Sequence, residues 1–310
     1  MQKPIDGILL LDKPCGGTSH DLVNALRRKL ETRKIGHAGT LDPFASGLLI
    51  MGIGRGTRVL EYFLNMDKTY RVELELGRIT DTYDLTGKTM ELRIVTDLTT
   101  EKVMNVLKSF EGKYLQTAPA YSAKKYNGER LYKLAREGKI INLPPKEVSI
   151  YSIDDVVIEG RKIAFTARVS KGTYIRSLVM DIGYRLGCGA TTTELRRLSQ
   201  GIFSVNAATT VESASWMNVV GLGEAMEFLP GLLLNESESQ RVLLGSQIHA
   251  LNVVGILGKF EKDEIIRIVG SNETLLAIAR SERTSSFVQT LRKSDSWERE
   301  IGRASCRERV

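Results

Sequence analysis

Two stretches of alternating apolar and polar residues, Val148–Ile158 and Ile163–Val169, are separated only by the short link Glu159-Gly160-Arg161. Alternation with period two marks half-buried strands, and so short a glycine-containing link pairs them antiparallel. Tyr70, Val72, Leu74 and Leu76, set among Arg71, Glu73 and Glu75, add a third strand of the same kind. Asp6–Leu11, Leu48–Ile53 and Gly201–Val205 read as further strands, and Gly77–Gly87 as a loop rich in Thr and Asp. Helical signals are interspersed among them. Ser19 caps a helix whose Leu22, Val23, Leu26 and Leu30 share one face. Thr57–Leu64, Thr100–Phe110, Glu129–Glu137 before Gly138, Arg176–Leu186 before Gly187, and a short Thr192–Leu198 complete the set. The fold class is therefore α+β: a mostly antiparallel mixed sheet with flanking helices, not a doubly wound parallel one.

From about Gly231 the character changes. Ser239–Leu244 reads as a helix, and Glu264–Ile268, Leu275–Ala279 and Phe287–Leu291 as short strands between polar turns, the pattern of a small β-rich domain. This divides the chain into residues 1–230 and 231–299. Residues 300–310 stand apart. Ile301–Val310 is what a common short-read sequencing adapter encodes when read in frame, so the segment is expected to be a translation artefact replacing the natural C-terminus near Glu300.

Composition excludes several classes. No apolar run approaches the ~20 residues of a membrane helix. Ile8–Leu11, bounded by Asp6 and Asp12, is too short for a signal peptide, which makes the cytoplasm the expected location. Cys15, Cys188 and Cys306 form no C-x-x-C pair, and His20, His37 and His249 are scattered. Neither a disulfide framework nor a zinc site is indicated. The net charge of +7 is unevenly spread: 113–146 and 161–197 each carry eight Lys/Arg against two acids, contributing +12 together and leaving −5 elsewhere. The first window also holds Tyr114, Tyr121, Tyr126 and Tyr132, the mixture of charge and stacking surface that suits looped RNA.

The segment from His37 to Gly47, His-Ala-Gly-Thr-Leu-Asp-Pro-Phe-Ala-Ser-Gly, sets one carboxylate, Asp42, in a loop stiffened by Pro43 and tightened by glycines. An isolated Asp-Pro pair ordinarily just starts a turn. Gly52-x-Gly54-x-Gly56 lacks the spacing of a dinucleotide fingerprint and reads as a packing or turn device.

Other segments change the reading of Asp42. Lys13-Pro14-x-Gly16-x-Thr18-Ser19, Gly36-His37-x-Gly39-Thr40-Leu41-Asp42-Pro43 and Lys68-x-Tyr70 occur in that order. They are followed by Gly77-x-x-Thr80-x-Thr82-x-Asp84-x-x-Gly87, Pro119-x-Tyr121-Ser122-Ala123-x-Lys125, Lys171-Gly172-Thr173-Tyr174-Ile175-Arg176 and Leu195-Arg196-Arg197-Leu198. Over roughly the first two-thirds of its length the chain resembles the TruB family of tRNA pseudouridine synthases. Ala118 stands where many members carry a second proline and Val169 where a cysteine is frequent, neither at a position with a chemical role.

The resemblance implies a pseudouridine synthase fold with a PUA-like C-terminal domain, and isomerisation of the T-loop uridine at position 55 without cofactor or metal. Asp42 is then the catalytic carboxylate, either trapping an electrophilic sugar carbon or removing a sugar proton. Arg176 is its guanidinium partner, holding it ionised against desolvation. Tyr70 stacks on the base and is a candidate for taking the C5 proton. His37 fills the space of the flipped base, and Tyr174 forms a pocket wall. Lys171 meets the RNA backbone, and Lys13 and Leu195 lie in matching motifs as substrate-binding positions. Lys125, Arg130 and Tyr132 belong to an insertion, 117–146, that closes over the T stem-loop. The implied partner is tRNA alone, bound by a monomer with no membrane and no protein partner. The competing readings are a dyskerin-like subunit of a guide-RNA particle, which the well-formed insertion disfavours, and a non-catalytic tRNA-binding or folding protein.

Overall fold

The computed structural model describes residues 6–141, 143–244, 246–249, 252–293 and 308–309. Its main feature is a ten-stranded sheet. Across it the strands run Val220–Gly221, Gly7–Lys13, Ser46–Ile53, Ala190–Gln200, Lys68–Leu76, Lys162–Val169, Lys146–Glu159 and Gly112–Gln116. Ile35–His37 and Phe203–Ser204 pair off this path, with Ser46–Ile53 and Ala190–Gln200 respectively. Within the sheet the pairing of Ala190–Gln200 with Ser46–Ile53 is parallel and the remaining pairings are antiparallel. The expected hairpin around Gly160 forms, with Glu159 opposite Lys162.

Lys68–Leu76 alternates strictly between buried and half-buried residues. Tyr70, Val72, Leu74 and Leu76 join Phe165, Ala167 and Leu195 in a core that the helix Ile175–Leu186 covers with Leu178, Val179 and Ile182. That helix ends at Gly187, whose φ of 94° terminates it in the left-handed conformation. The helix Ser19–Lys29 packs Leu22, Val23 and Leu26 against Leu9, Leu11, Leu49 and Met51.

Four expectations need correction. Thr192–Leu198 is not a helix but the middle of a central strand. Register shifts at Thr192/Glu194 and Arg197/Ser199 break its alternation, so its burial pattern departs from period two. Phe287–Leu291 is not a strand but part of the helix Ser285–Lys293, because Val288 and Leu291, three apart, both enter the core. Gly77–Gly87 includes a short strand, Arg78–Thr80, paired with Thr89–Leu92. The N-cap of the first helix is Thr18, in a reciprocal capping box with Asp21, and Ser19 turns inward instead.

The C-terminal region forms a five-stranded sheet ordered Val253–Leu257, Gly231–Leu234, Ile265–Val269, Leu275–Arg280 and Glu308–Arg309. Its core comprises Leu232, Leu234, Phe260, Ile266 and Val288, while Leu275 and Ile278 also meet Ile8 and Leu10 of the main sheet. Of the adapter-like segment, Glu308–Arg309 lies at the edge of this sheet, and 300–307 and 310 fall outside the described residues. Among the described residues no helix is long and apolar enough to cross a membrane.

Gly47 marks where the loop carrying Asp42 rejoins the sheet. Its φ is 101°, and a Cβ there would stand 2.3 Å from the carbonyl oxygen of Arg197 on the adjacent strand. Gly47→Ala combines left-handed strain with a backbone clash and is expected to destabilise the fold by about 2 kcal/mol or more. A shifted denaturant midpoint at unchanged slope is the check, and an unmoved midpoint contradicts this account.

Candidate active site

Asp42 sits in the loop 38–45 that joins the paired strands Ile35–His37 and Ser46–Ile53. Neighbouring elements hold the loop by its backbone. Lys13 is fully buried, and its Nζ donates to the carbonyls of Pro14 (2.9 Å), Pro43 (3.2 Å) and Ala45 (2.7 Å). Ser19 Oγ accepts from Leu41 N at 2.9 Å and lies 3.2 Å from Leu41 O. From the central strand, Arg197 donates to Leu48 O and Gly39 O, and Gln200 donates to Ala38 O and Phe63 O. The turn closes on itself through Ala45 N to Asp42 O at 3.1 Å.

Arg176 enters from the first turn of the helix Ile175–Leu186 and is 4% exposed. Its Nε lies 2.9 Å from Asp42 Oδ2. Nη1 donates to Thr82 O at 2.7 Å and to Asp84 Oδ2 at 3.2 Å, and Nη2 donates to Tyr121 O at 2.8 Å. One guanidinium thus joins four chain segments and two carboxylates. The carboxylates differ. Asp84 is buried, its Oδ1 accepting from Thr82 Oγ1 and from the backbone N and hydroxyl of Thr86. Asp42 is 35% exposed at its side chain, and its Oδ1 has no hydrogen bond among the described residues. It lines a cavity of about 770 Å³ together with His37, Thr40, Tyr121, Arg130 and Tyr132.

Desolvation pushes the Asp42 carboxyl above its ordinary value and the Asp84 charge adds to that push, while Arg176 opposes both. Burial and the nearby Arg197 charge lower His37, which is therefore neutral at physiological pH, and its buried Nδ1 has no hydrogen-bond partner among the described residues. Burial raises the Tyr174 phenol, with the Asp42 charge acting in the same direction.

Comparison with known proteins decides the family. Residues 27–175 match the model of the TruB family pseudouridylate synthase N-terminal domain, and 176–220 that of the tRNA pseudouridylate synthase B C-terminal domain. A tRNA pseudouridine synthase B of Thermotoga petrophila is 50% identical over 297 residues, covering 94% of this chain and 96% of the relative. The chain belongs to the TruB family of pseudouridylate synthases. The corresponding Thermosipho melanesiensis protein is 48% identical over 91% of this chain and 93% of its own length. Among solved structures, an H/ACA RNP bound to a substrate RNA containing 2′-deoxyuridine is similar at 26% identity and a TM-score of 0.75, over 98% of this chain and 84% of that one.

For a TruB-family chain, the structure sorts the residues named from sequence into three groups. Asp42, Arg176, His37, Arg130 and Tyr132 line one cavity. Arg136 lies over the Tyr132 ring, with 5.5 Å to its centroid, and lines the cavity too. Tyr70 (7% exposed) and Leu195 (6%) lie in the core beside Leu41 and Ile175, rather than among the lining residues. Tyr174 is tied through its backbone to Gln116 in both directions and stands at the N-cap of the helix that carries Arg176.

Lys13 requires correction. With no exposed surface and three carbonyls on its ammonium it braces the Asp42 loop and cannot reach an RNA phosphate. Leu195 likewise belongs to the core, packed against the strand that holds Tyr70. Lys171 is exposed but donates to Asn65 Oδ1 away from the cavity, and Lys125 is exposed on the hairpin Lys125–Tyr126/Glu129–Arg130.

The second basic window is not one surface either. Arg161, Lys162, Arg168 and Arg196 pair with Glu75, Glu73, Asp67 and Asp12, and Arg176 and Arg197 are buried. Asp84, Arg136 and Tyr121 carried no assigned role at the sequence level. The signal for Asp84 was its place in the Thr82-x-Asp84 motif, but only the fold reveals that it shares a guanidinium with Asp42.

Three outcomes are expected. With Asp42 proposed as the ionised group, activity is expected to fall on acidification with a midpoint above 3.8, the ordinary value of this carboxyl. Asp84→Asn removes a negative charge that disfavours ionisation, so the acid limb of the kcat/KM profile moves to lower pH; movement upward contradicts the geometry. Lys13→Met leaves three buried carbonyls without their donor. It is expected to lower kcat at least tenfold with RNA affinity held within about twofold, whereas a phosphate-contact role would raise Kd instead.

Proposed function

We infer that this chain converts the T-loop uridine of tRNA, position 55, to pseudouridine, on naked tRNA and as a monomer. The observation that carries the reading is the more exposed of two cleft carboxylates, Asp42, held at one oxygen by a buried guanidinium and open at the other. The reaction breaks the glycosidic C–N bond, turns the base and rejoins it through C5. It needs an ionised group at the ribose, and both sugar-carbon attack and sugar-proton removal begin from that ion. A base inside a folded loop must leave its stack to reach the carboxylate. The neutral His37 ring, beside Asp42 in the same cavity, supports its role as the group that takes the vacated space. Tyr70 lies in the core cluster that includes Leu41, the residue before Asp42, which supports a place for it next to the reacting base.

The segment 117–146 supplies Arg130, Tyr132 and Arg136 to the rim and Lys125 to the outer hairpin, a cationic and aromatic edge suited to an RNA stem-loop. We take 1–230 as the catalytic domain and 231–299 as a PUA-like second contact for the same RNA. A nucleic acid substrate and no membrane-spanning helix among the described residues fit a cytoplasmic enzyme. The relatives with about half of their residues in common are tRNA pseudouridine synthases by name, which favours free tRNA over a guide-RNA particle.

Release of tritium from tRNA labelled at uridine C5 tests this directly. Asp42→Asn is expected to abolish release while keeping RNA affinity within roughly tenfold, since one carboxylate adds little attraction for phosphate. Wild-type activity on an unmodified transcript without other components is also expected. Equal rates for wild type and variant would remove Asp42 from the chemistry, and a strict need for a guide RNA would move the chain to the particle class.

A further inference from the structure

A second hollow of about 530 Å³ adjoins the cleft and shares Tyr121 with it, between the hairpin 78–92, the root of the insertion and the helix Ile175–Leu186. Its electrostatics oppose those of the cleft. In a chain of net charge +7 its lining includes two carboxylates, Asp81 and Asp181, and no Lys, Arg or His. Asp181 makes no hydrogen bond or ion pair among the described residues, and burial pushes its carboxyl up to about 6. Asp81 accepts at Oδ1 from the backbone N of Lys88 and at Oδ2 from nothing among the described residues. The Arg185 charge opposes the push on Asp181 without forming an ion pair with it among the described residues, so burial is only partly offset and a ligand cation reduces the remaining cost.

The rest of the wall selects the kind of cation. Tyr83, Tyr121 and Tyr184 present aromatic rings, and Met90 and Met180 present apolar stems. Tyr83 is held there in a left-handed conformation (φ 63°), its carbonyl accepting from Thr192 N. Aromatic faces attract ammonium and guanidinium groups, and the Arg93 guanidinium already lies 5.6 Å from the centroid of the Tyr184 ring. No group of three His, Cys, Asp or Glu suited to a metal occurs among the described residues, so a bare metal ion lacks its ligand set. A phosphate or RNA backbone is repelled.

We propose that this hollow binds an alkyl diammonium ion, one ammonium on Asp181 and the other on Asp81, with its methylene chain against the tyrosine and methionine side chains. The site is separate from the RNA chemistry. It touches the cleft through Tyr121, whose ring lines both spaces and whose carbonyl holds Arg176.

Isothermal titration of the full chain with 1,5-diaminopentane at fixed ionic strength tests it, with 1-aminopentane and 1,5-pentanediol as controls. One-to-one saturable binding of the diamine is expected, at least tenfold weaker for the monoamine and absent for the diol. Asp181→Asn is expected to weaken the diamine at least tenfold while leaving tritium release and Tm near wild type. Asp81→Asn keeps the acceptor for Lys88 N and is expected to bring diamine affinity down to that of the monoamine. Absence of saturable diamine binding, equal binding by the Asp181→Asn variant, or comparable binding of the diol would overturn the proposal.

Discussion

The contacts of Arg176 set the terms for the rest of the site. A guanidinium cannot give up its proton at any working pH, so a buried one must be surrounded by acceptors. Here the acceptors are Asp42, Asp84, Thr82 O and Tyr121 O, contributed by three separate stretches of chain. Breaking one partner out of such an arrangement typically costs about 3–5 kcal/mol. That penalty ties three loops to the helix Ile175–Leu186 and gives Asp42 a fixed position. Asp84, buried and fully hydrogen-bonded, neutralises the guanidinium structurally and leaves Asp42 only partly compensated.

Two more buried cations serve the same loop by a different route. Lys13 and Arg197 grip backbone carbonyls on either side of Asp42 and make no ion pair among the described residues. The positive charge of Lys13 also favours the ionised form of Asp42. Position and charge state are therefore set by the same groups. This is why a lysine that reads as an RNA contact in sequence proves to be internal: the chemistry of an ammonium is equally suited to a phosphate and to three converging carbonyls, and only the fold chooses between them.

What could be read in advance follows from how local each signal is. The strands Lys68–Leu76 and Lys162–Val169 keep their alternation, and the hairpin around Gly160 formed as expected although two register shifts interrupt its other strand. The strand Ala190–Gln200 did not reveal itself, because two register shifts erase its period and its burial comes from neighbours more than a hundred residues distant. The helix at Ser285 was misread because a five-residue window fits either period. At the site, Asp42 and Arg176 were legible through their motifs. The division of labour between Asp84 and Asp42 was not, since it depends on relative burial. The second basic window failed for a similar reason: net charge counts residues, while a partner meets only those left unpaired at the surface.

The bond from Arg176 to the carbonyl of Tyr121 uses main chain, not side chain, so it makes no demand on the amino acid at that position. The root of the insertion is anchored independently of composition, whereas the hairpin and helix beyond it, Lys125 to Arg136, are solvent-facing over much of their length. A change of side chains in the outer arm therefore leaves the grip of Arg176 on the root of the insertion in place. Ser177 adds a second such bond, to the carbonyl of Thr117, so the helix Ile175–Leu186 grips main chain rather than particular side chains at this joint.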